Sequence, residues 1–171
     1  MTVRALGAKV PRIAPSAWVS EAAYVVGDVE VGANSSIWPG AVVRADLAPV
    51  VIGSNTHIED NCVIHTGMAL TVGDDVLVGH GAVLHCRRVG HACLIGNHAT
   101  VLDGAVLSDF TLVAAGAVLL GGTVVPPNSF VAGVPATVRP IGPGQRSRLV
   151  AQQSGDSGYG PLMREYRAAG L

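Results

Sequence analysis

Six histidines stand in a chain of 171 residues of which only 13% are charged, and three of them are spaced for metal chemistry. Neutral imidazoles bind Zn²⁺, and three of them leave the ion one or two open positions, the arrangement of a catalytic rather than a structural site. The candidates are His65, His80 and His85, with Arg44 and Asp46 upstream as a charged pair able to hold such ligands in place. An ion so bound lowers the pKa of its water to about 7 and supplies hydroxide at neutral pH. A lone histidine in a turn is ordinarily a polar surface residue, so this reading needs a scaffold that brings the three together.

A repeat provides that scaffold. From Ile13 an aliphatic residue recurs at every sixth position: Ile13, Val19, Val25, Val31, Ile37, Val43. After a slip at 48–51 the series resumes at Ile52, Ile58, Ile64, and after a second slip at 66–71 it resumes at Val72, Val78, Leu84. One residue fewer then gives Val89, Ile95, Val101, Leu107, Val113, Leu119. Helices recur at three and four and single strands at two, so six fits neither. The position four after the aliphatic residue is nearly always small, as at Ser35, Thr56, Ala82 and Ala99. The pattern predicts an all-β solenoid with triangular coils: three short parallel strands per coil, each pointing its aliphatic residue inward and each followed by a tight turn. Coils stack at the strand spacing, about 4.8 Å. The slips are expected to protrude as loops at corners.

The β-helix is expected over residues 1–140, with repeats over about 11–125 and an exit turn at Phe130 to Pro140. Residues 141–171 read as a helical segment packing along the solenoid. Its helices are expected at 145–153 and 161–169, on either side of a flexible Ser/Gly stretch at 154–158.

On this register His65 follows Ile64 and His85 follows Leu84, the third hexapeptides of successive coils. They are therefore stacked neighbours, about 5 Å apart at the backbone. Arg44 holds the same position one coil earlier and Leu102 one coil later. His80 lies on the preceding face of the coil. Five extended residues separate it from His85 and span roughly 16 Å, less around a corner, whereas ligands of one zinc ion sit only about 3 to 4 Å apart. His80 and His85 of one chain should not share a metal, but the His80 edge of one subunit can face the His65/His85 column of the next. Such head-to-tail contact closes naturally as a trimer.

The remaining unusual residues have plainer readings. His91 and His98 occupy outward turns without a stacked partner, and His57 just before Ile58 is ambiguous. Cys62 and Cys93 fill small-residue positions, Cys86 beside His85 is the one thiol to follow, and Trp18 and Trp38 are packing residues.

Composition narrows the classes further. With 49% hydrophobic residues the chain is not disordered, and no run of about 18 apolar residues marks a membrane helix. A net charge of −1 does not suit nucleic acid. Three cysteines without zinc-motif spacing, and an N-terminus without an apolar export segment, lead us to expect the cytoplasm.

The stretches VVRAD (42–46), NTHIEDNCVIH (55–65), VGHGAVLH (78–85) and YGPLMREY (159–166) resemble the γ-class carbonic anhydrase family, over nearly the whole chain. The resemblance implies a left-handed parallel β-helix assembled as a homotrimer. It implies zinc, with Fe²⁺ or Co²⁺ as the other candidates, held by His65 and His85 of one subunit and His80 of its neighbour. It further implies that Arg44 and Asp46 support interface and site, that Tyr159 overhangs the pocket, and that metal-bound hydroxide reversibly hydrates CO₂ to bicarbonate. Two departures stand out. Glu59 and His57 replace the family's common Gln and Asn, and Thr66 to Thr71 replaces the acidic proton-moving loop of its prototype. A carboxylate at 59 adds negative charge near the metal and raises the pKa of its water. Asp46 and Glu59 are then candidates to orient the water or take its proton, with Arg44 fixing the carboxylates, and proton export falls to Glu59 or His57. Two rivals share the solenoid: a CoA-dependent acyltransferase, which shares the GVPA motif at 133–136 but needs only one histidine, and a trimeric scaffold with a structural metal.

Overall fold

In the computed structural model, residues 2–153 and 158–171 are described. Every aliphatic residue of the hexapeptide series lies in a strand and pairs in parallel with its counterpart on the neighbouring coil, forming three ladders. The first, here the helix face, runs Val19, Ile37, Ile58, Val78, Ile95, Val113, Val131. The second, the histidine face, runs Val3, Val25, Val43, Ile64, Leu84, Val101, Leu119. The third, the charged face, runs Ile13, Val31, Ile52, Val72, Val89, Leu107, Val125. Beyond the first coil all of these side chains are buried in one continuous core. Branched aliphatic residues suit this arrangement because they pack on neighbours above and below in a pleated wall. The repeat extends past both expected ends, with Val3–Arg4 added at the start and Val131 at the finish.

The small residue at each corner has two jobs. It leaves room for the turn, and where it carries a hydroxyl it ties one coil to the next: Ser35 Oγ donates to the Gly53 carbonyl at 2.6 Å and Thr56 Oγ1 to the Gly73 carbonyl at 2.8 Å. These buried hydroxyls are thereby satisfied.

The first slip differs from expectation. Instead of a protruding loop, Val42–Ile52 is one strand of 11 residues running around a corner beside Tyr24–Val31. Asp46 to Pro49 stand opposite the single residue Asp28, so the extra residues form a bulge within continuous pairing. Opposite it, Gly27 has φ +91°, and a Cβ there would lie 2.2 Å from the Ala45 carbonyl oxygen. The second slip does leave a short loop at 66–69, directly after His65.

The exit turn is more regular than expected. Ser129–Gly133 and Ala136–Pro140 form an antiparallel hairpin that covers the last rung of the helix face. Two helices follow, α1 (Pro143–Gln153) and α2 (Tyr159–Ala168), each starting two residues earlier than the sequence suggested. Pro143 suits the first helical position, where no backbone donor is needed. The expected flexible stretch falls, except for Gly158, outside the described residues. Helix α2 docks near the first coils through buried Met163. Trp18 and Trp38 pack edge to face at 4.9 Å, and Tyr166 meets them at 5.6 and 5.1 Å. Trp18 Nε1 donates to the Leu171 carbonyl at 2.8 Å, so both tryptophans are the packing residues expected. No helix among the described residues is long and apolar enough to cross a membrane.

Candidate metal centre

His65 ends strand Val63–His65 and His85 directly follows strand Val83–Leu84 on the next coil of the histidine face, and their ring centroids stand 5.3 Å apart. Arg44 pairs in register with His65, completing the expected column. The bulge places Asp46 beside it: Asp46 Oδ1 lies 3.1 Å from His65 Nε2, and its other oxygen pairs with Arg44. Burial alone would raise the Asp46 carboxyl, but hydrogen bonds from Arg44, its own backbone N–H and His65 hold it below the usual carboxylate range. On the other side of the pair, Asp103 Oδ1 accepts from His85 Nδ1 at 2.7 Å. Each ring thus has one nitrogen on a carboxylate, while His65 Nδ1 and His85 Nε2 have no partner among the described residues.

His80 stands at the opposite edge of the same face, in the corner ahead of strand Val83–Leu84. Its Nε2 lies 3.0 Å from Glu59 Oε2 and its Nδ1 3.1 Å from Asp60 Oδ2. Its backbone N–H also donates to Glu59 Oε2, at 2.9 Å. The corner needs Gly81: φ is +68°, and a Cβ would lie 2.5 Å from the His98 ring. Tyr159, delivered by α2, brings its hydroxyl 3.5 Å from His80 Nε2. Burial, then the hydrogen bond to Glu59, push its pKa well above the ordinary tyrosine value, so it stays a donor.

Glu59 is the unusual member, its side chain only 5% exposed. A carboxylate that deep is costly unless cationic or hydrogen-bonding groups surround it. Here its partners are His80 and Tyr159, so the structure places it against one candidate ligand and away from the other two.

The seven site residues read from the sequence therefore fall into two groups on opposite edges of one face. His65, His85, Arg44 and Asp46 share one edge; His80, Glu59 and Tyr159 share the other. Among the described residues no three His, Cys, Asp or Glu side chains of one chain converge as a metal site. The donors themselves fit Zn²⁺: two stacked imidazoles with free nitrogens, each held at its other nitrogen by a carboxylate, while His80 meets Glu59 at Nε2 and Asp60 at Nδ1.

Other readings change. His57 faces Ser36 Oγ at 2.7 Å and the Tyr159 ring at 5.8 Å; burial lowers its pKa to about 4, a little offset by Asp75. A ring that stays neutral near pH 7 does not fit the proton-carrier role offered for it. His91 does have a stacked partner, since its Nδ1 accepts the Asp74 backbone N–H at 3.0 Å. Cys86, like Cys62 and Cys93, is fully buried with its thiol pushed up to about 12, and so is unreactive. Asp60 and Asp103 escaped the sequence reading. The signal was the coil period, since each lies one coil from a candidate histidine.

No family model matches the chain. Over 136 residues it is 40% identical to "Gamma carbonic anhydrase 1, mitochondrial" of Arabidopsis thaliana, covering 75% of this chain and 50% of that protein. It thus spans about half the length of the Arabidopsis relatives it matches. Over 122 residues it is 39% identical to a "Probable carbonic anhydrase" of Methanocaldococcus jannaschii, covering 70% of this chain and 77% of that one. A solved structure described as a putative acetyltransferase from Bacillus cereus superposes with TM-score 0.90 at 32% identity, covering 98% of this chain and 97% of the other. With that much sequence in common, including the archaeal relative over most of its length, the chain belongs to the γ-class carbonic anhydrase family.

Proposed function

We propose that this protein is a zinc-dependent γ-type carbonic anhydrase, hydrating CO₂ reversibly to bicarbonate as a homotrimer with one metal at each subunit interface. The observation that carries the reading is the division of the ligands. His65 and His85 present free nitrogens on one edge of a face, and His80 stands on the opposite edge of the same face. Head-to-tail association repeats one contact and closes into a ring, joining each His65/His85 pair to His80 of the partner subunit. Fe²⁺ and Co²⁺ suit the same imidazole donors.

When bound, the metal supplies Lewis-acid activation that brings the pKa of a water to about 7. The chain's own residues do the rest. Asp46, braced by Arg44, orients His65. Glu59 orients His80 and keeps a carboxylate oxygen beside it to take a proton. Tyr159, held protonated, offers a donor over the same corner for a substrate oxygen. Three buried thiols with no disulfide suit a reducing compartment, the cytoplasm.

The acyltransferase reading draws support from the Bacillus cereus structure described as an acetyltransferase, but one histidine base would suffice for it and the stacked pair would have no role. Metal analysis of protein purified without chelators, followed by a CO₂ hydration assay, separates the readings. The expected result is one ion per chain and activity lost on chelation and restored by Zn²⁺. Metal-free folded protein, or acetyl-CoA turnover that survives chelation, would overturn it.

A further inference from the structure

Both stacked histidines are gripped by a carboxylate from a neighbouring coil, but the two carboxylates differ in origin. Asp46 comes from the bulged strand and already pairs with Arg44. Asp103 lies in an ordinary turn between strands Thr100–Val101 and Val106–Leu107, one coil beyond His85. Its own position is fixed on both sides: its carbonyl accepts the Gly122 N–H at 2.8 Å, and the Ala105 N–H closes the turn on Leu102 at 3.2 Å. From that site its Oδ1 meets His85 Nδ1 at 2.7 Å, closer than the 3.1 Å between Asp46 and His65.

We propose that Asp103 is the positioning residue of His85, accepting its Nδ1 proton and so fixing the ring and the tautomer that leave Nε2 free to ligate metal. The proposal rests on the metal-site reading above. A neutral imidazole carries one N–H and one lone pair, so a carboxylate on Nδ1 decides which nitrogen can ligate. The column Arg44, His65, His85 continues as Leu102, which has no donor atom. The coil above the pair therefore contributes only the carboxylate one residue further on. Asp103 is 65% exposed at its side chain, and an exposed ion pair of this kind adds little to folding stability. Its effect belongs instead in ligand orientation, where loss of such a carboxylate costs about 10- to 100-fold in metal affinity.

The test uses the full-length protein, Asp103→Ala and Asp103→Asn. Zinc affinity is measured by competition with a chromophoric chelator, oligomer mass by light scattering, and the His85 tautomer by ¹⁵N NMR of metal-free protein, with His85→Gln for assignment. Asp103→Ala should lose affinity about 10- to 100-fold with unchanged oligomer mass and unfolding midpoint, and its His85 should shift toward the Nε2–H form. Asp103→Asn keeps an acceptor oxygen and should retain the Nδ1–H form, with affinity between the other two. Wild-type affinity and tautomer in Asp103→Ala would overturn the proposal, as would a wild-type His85 already protonated on Nε2. If the wild type binds no zinc, the metal-site reading fails by itself, and the tautomer measurement still decides whether Asp103 orients His85.

Discussion

The histidine face and the helix face are built from the same hexapeptide, yet their outward residues meet different surroundings. On the helix face the outward ladder is Trp18, Ser36, His57, Leu77, Leu94, Leu112, Phe130. The chain's own C-terminal segment lies against it at two places: α2 buries Trp18 and Trp38, and the start of α1 lines a cavity with Leu94, Leu112 and Phe130, while Leu149 of α1 is buried. On the histidine face the outward ladder is Tyr24, Val42, Val63, Val83, Thr100, Val118. It is nearly as apolar, but Tyr24 is 42% and Val63 38% exposed. The third face mixes the two kinds, with Arg12, Glu30, Thr71 and Arg88 interspersed by Val51, Val106 and Val124, of which Val124 is 69% exposed. Apolar ladders need covers. One cover is in the chain; in the proposed assembly the other face, whose two edges carry the two halves of the candidate site, meets a second copy of it.

The largest effect is expected from splitting the site between subunits. His80→Ala and His65→Ala should each abolish metal binding and CO₂ hydration when assembled alone. Unfolded and reassembled together at equal amounts, they should recover about a quarter of the sites, those pairing an intact His65/His85 edge with an intact His80, by random ring assembly. No recovery in mixed rings of the right mass would mean the three histidines act within one chain or not at all.

A second pair of changes tests the two covers against each other. Val83→Glu puts a charge in the middle of the open ladder. It should yield folded monomer by light scattering, with the far-ultraviolet spectrum and the helix contacts intact. Trp38→Ala empties the aromatic clasp beneath α2 and should cost about 3 to 5 kcal/mol in denaturant unfolding. It should also expose α2 to proteolysis. Equal losses of oligomer mass in both variants would erase the distinction between the faces.

Much of this architecture was legible in the residues, for a simple reason. A ladder repeats its rule at every coil, so Ile13 to Leu119 all fall in the columns their spacing demanded, and the stacking of His65 on His85 follows from that register. What escaped lacked repetition. An insertion at 46–49 has the same length whether it loops out or continues a strand as a bulge, and only pairing with Asp28's neighbours tells the two apart. Trp18 meets Leu171, and no periodicity links positions so far apart. Asp103 is an aspartate in a turn, the commonest setting for that residue, and only its distance of one coil from His85 marks it.

The smallest effect concerns His57, which the covered face keeps dry. Trp38 Nε1 donates to Ser36 Oγ at 2.7 Å, and Ser36 Oγ stands 2.7 Å from His57 Nδ1. Tryptophan can only donate, and the Ser36 hydroxyl, with one hydrogen and two lone pairs, accepts that bond and still has a hydrogen and a lone pair to offer the ring. Protonating His57 would place a charge in this buried corner beside Tyr159, which agrees with a pKa lowered from 6.5 to about 4, mainly by burial. Between those two values the unfolded chain binds the proton and the folded chain does not. Stability is therefore fully present above pH 6.5 and declines as pH falls toward 4. His57→Asn, measured without metal so that ligand protonation does not enter, should remove this slope. The two unfolding curves should run parallel above pH 6.5 and diverge below it, with the wild type losing on the order of 2 kcal/mol relative to the variant by about pH 4.5. Curves that stay parallel down to pH 4 would mean that water reaches His57, and that the C-terminal segment does not seal the helix face as far as its third rung.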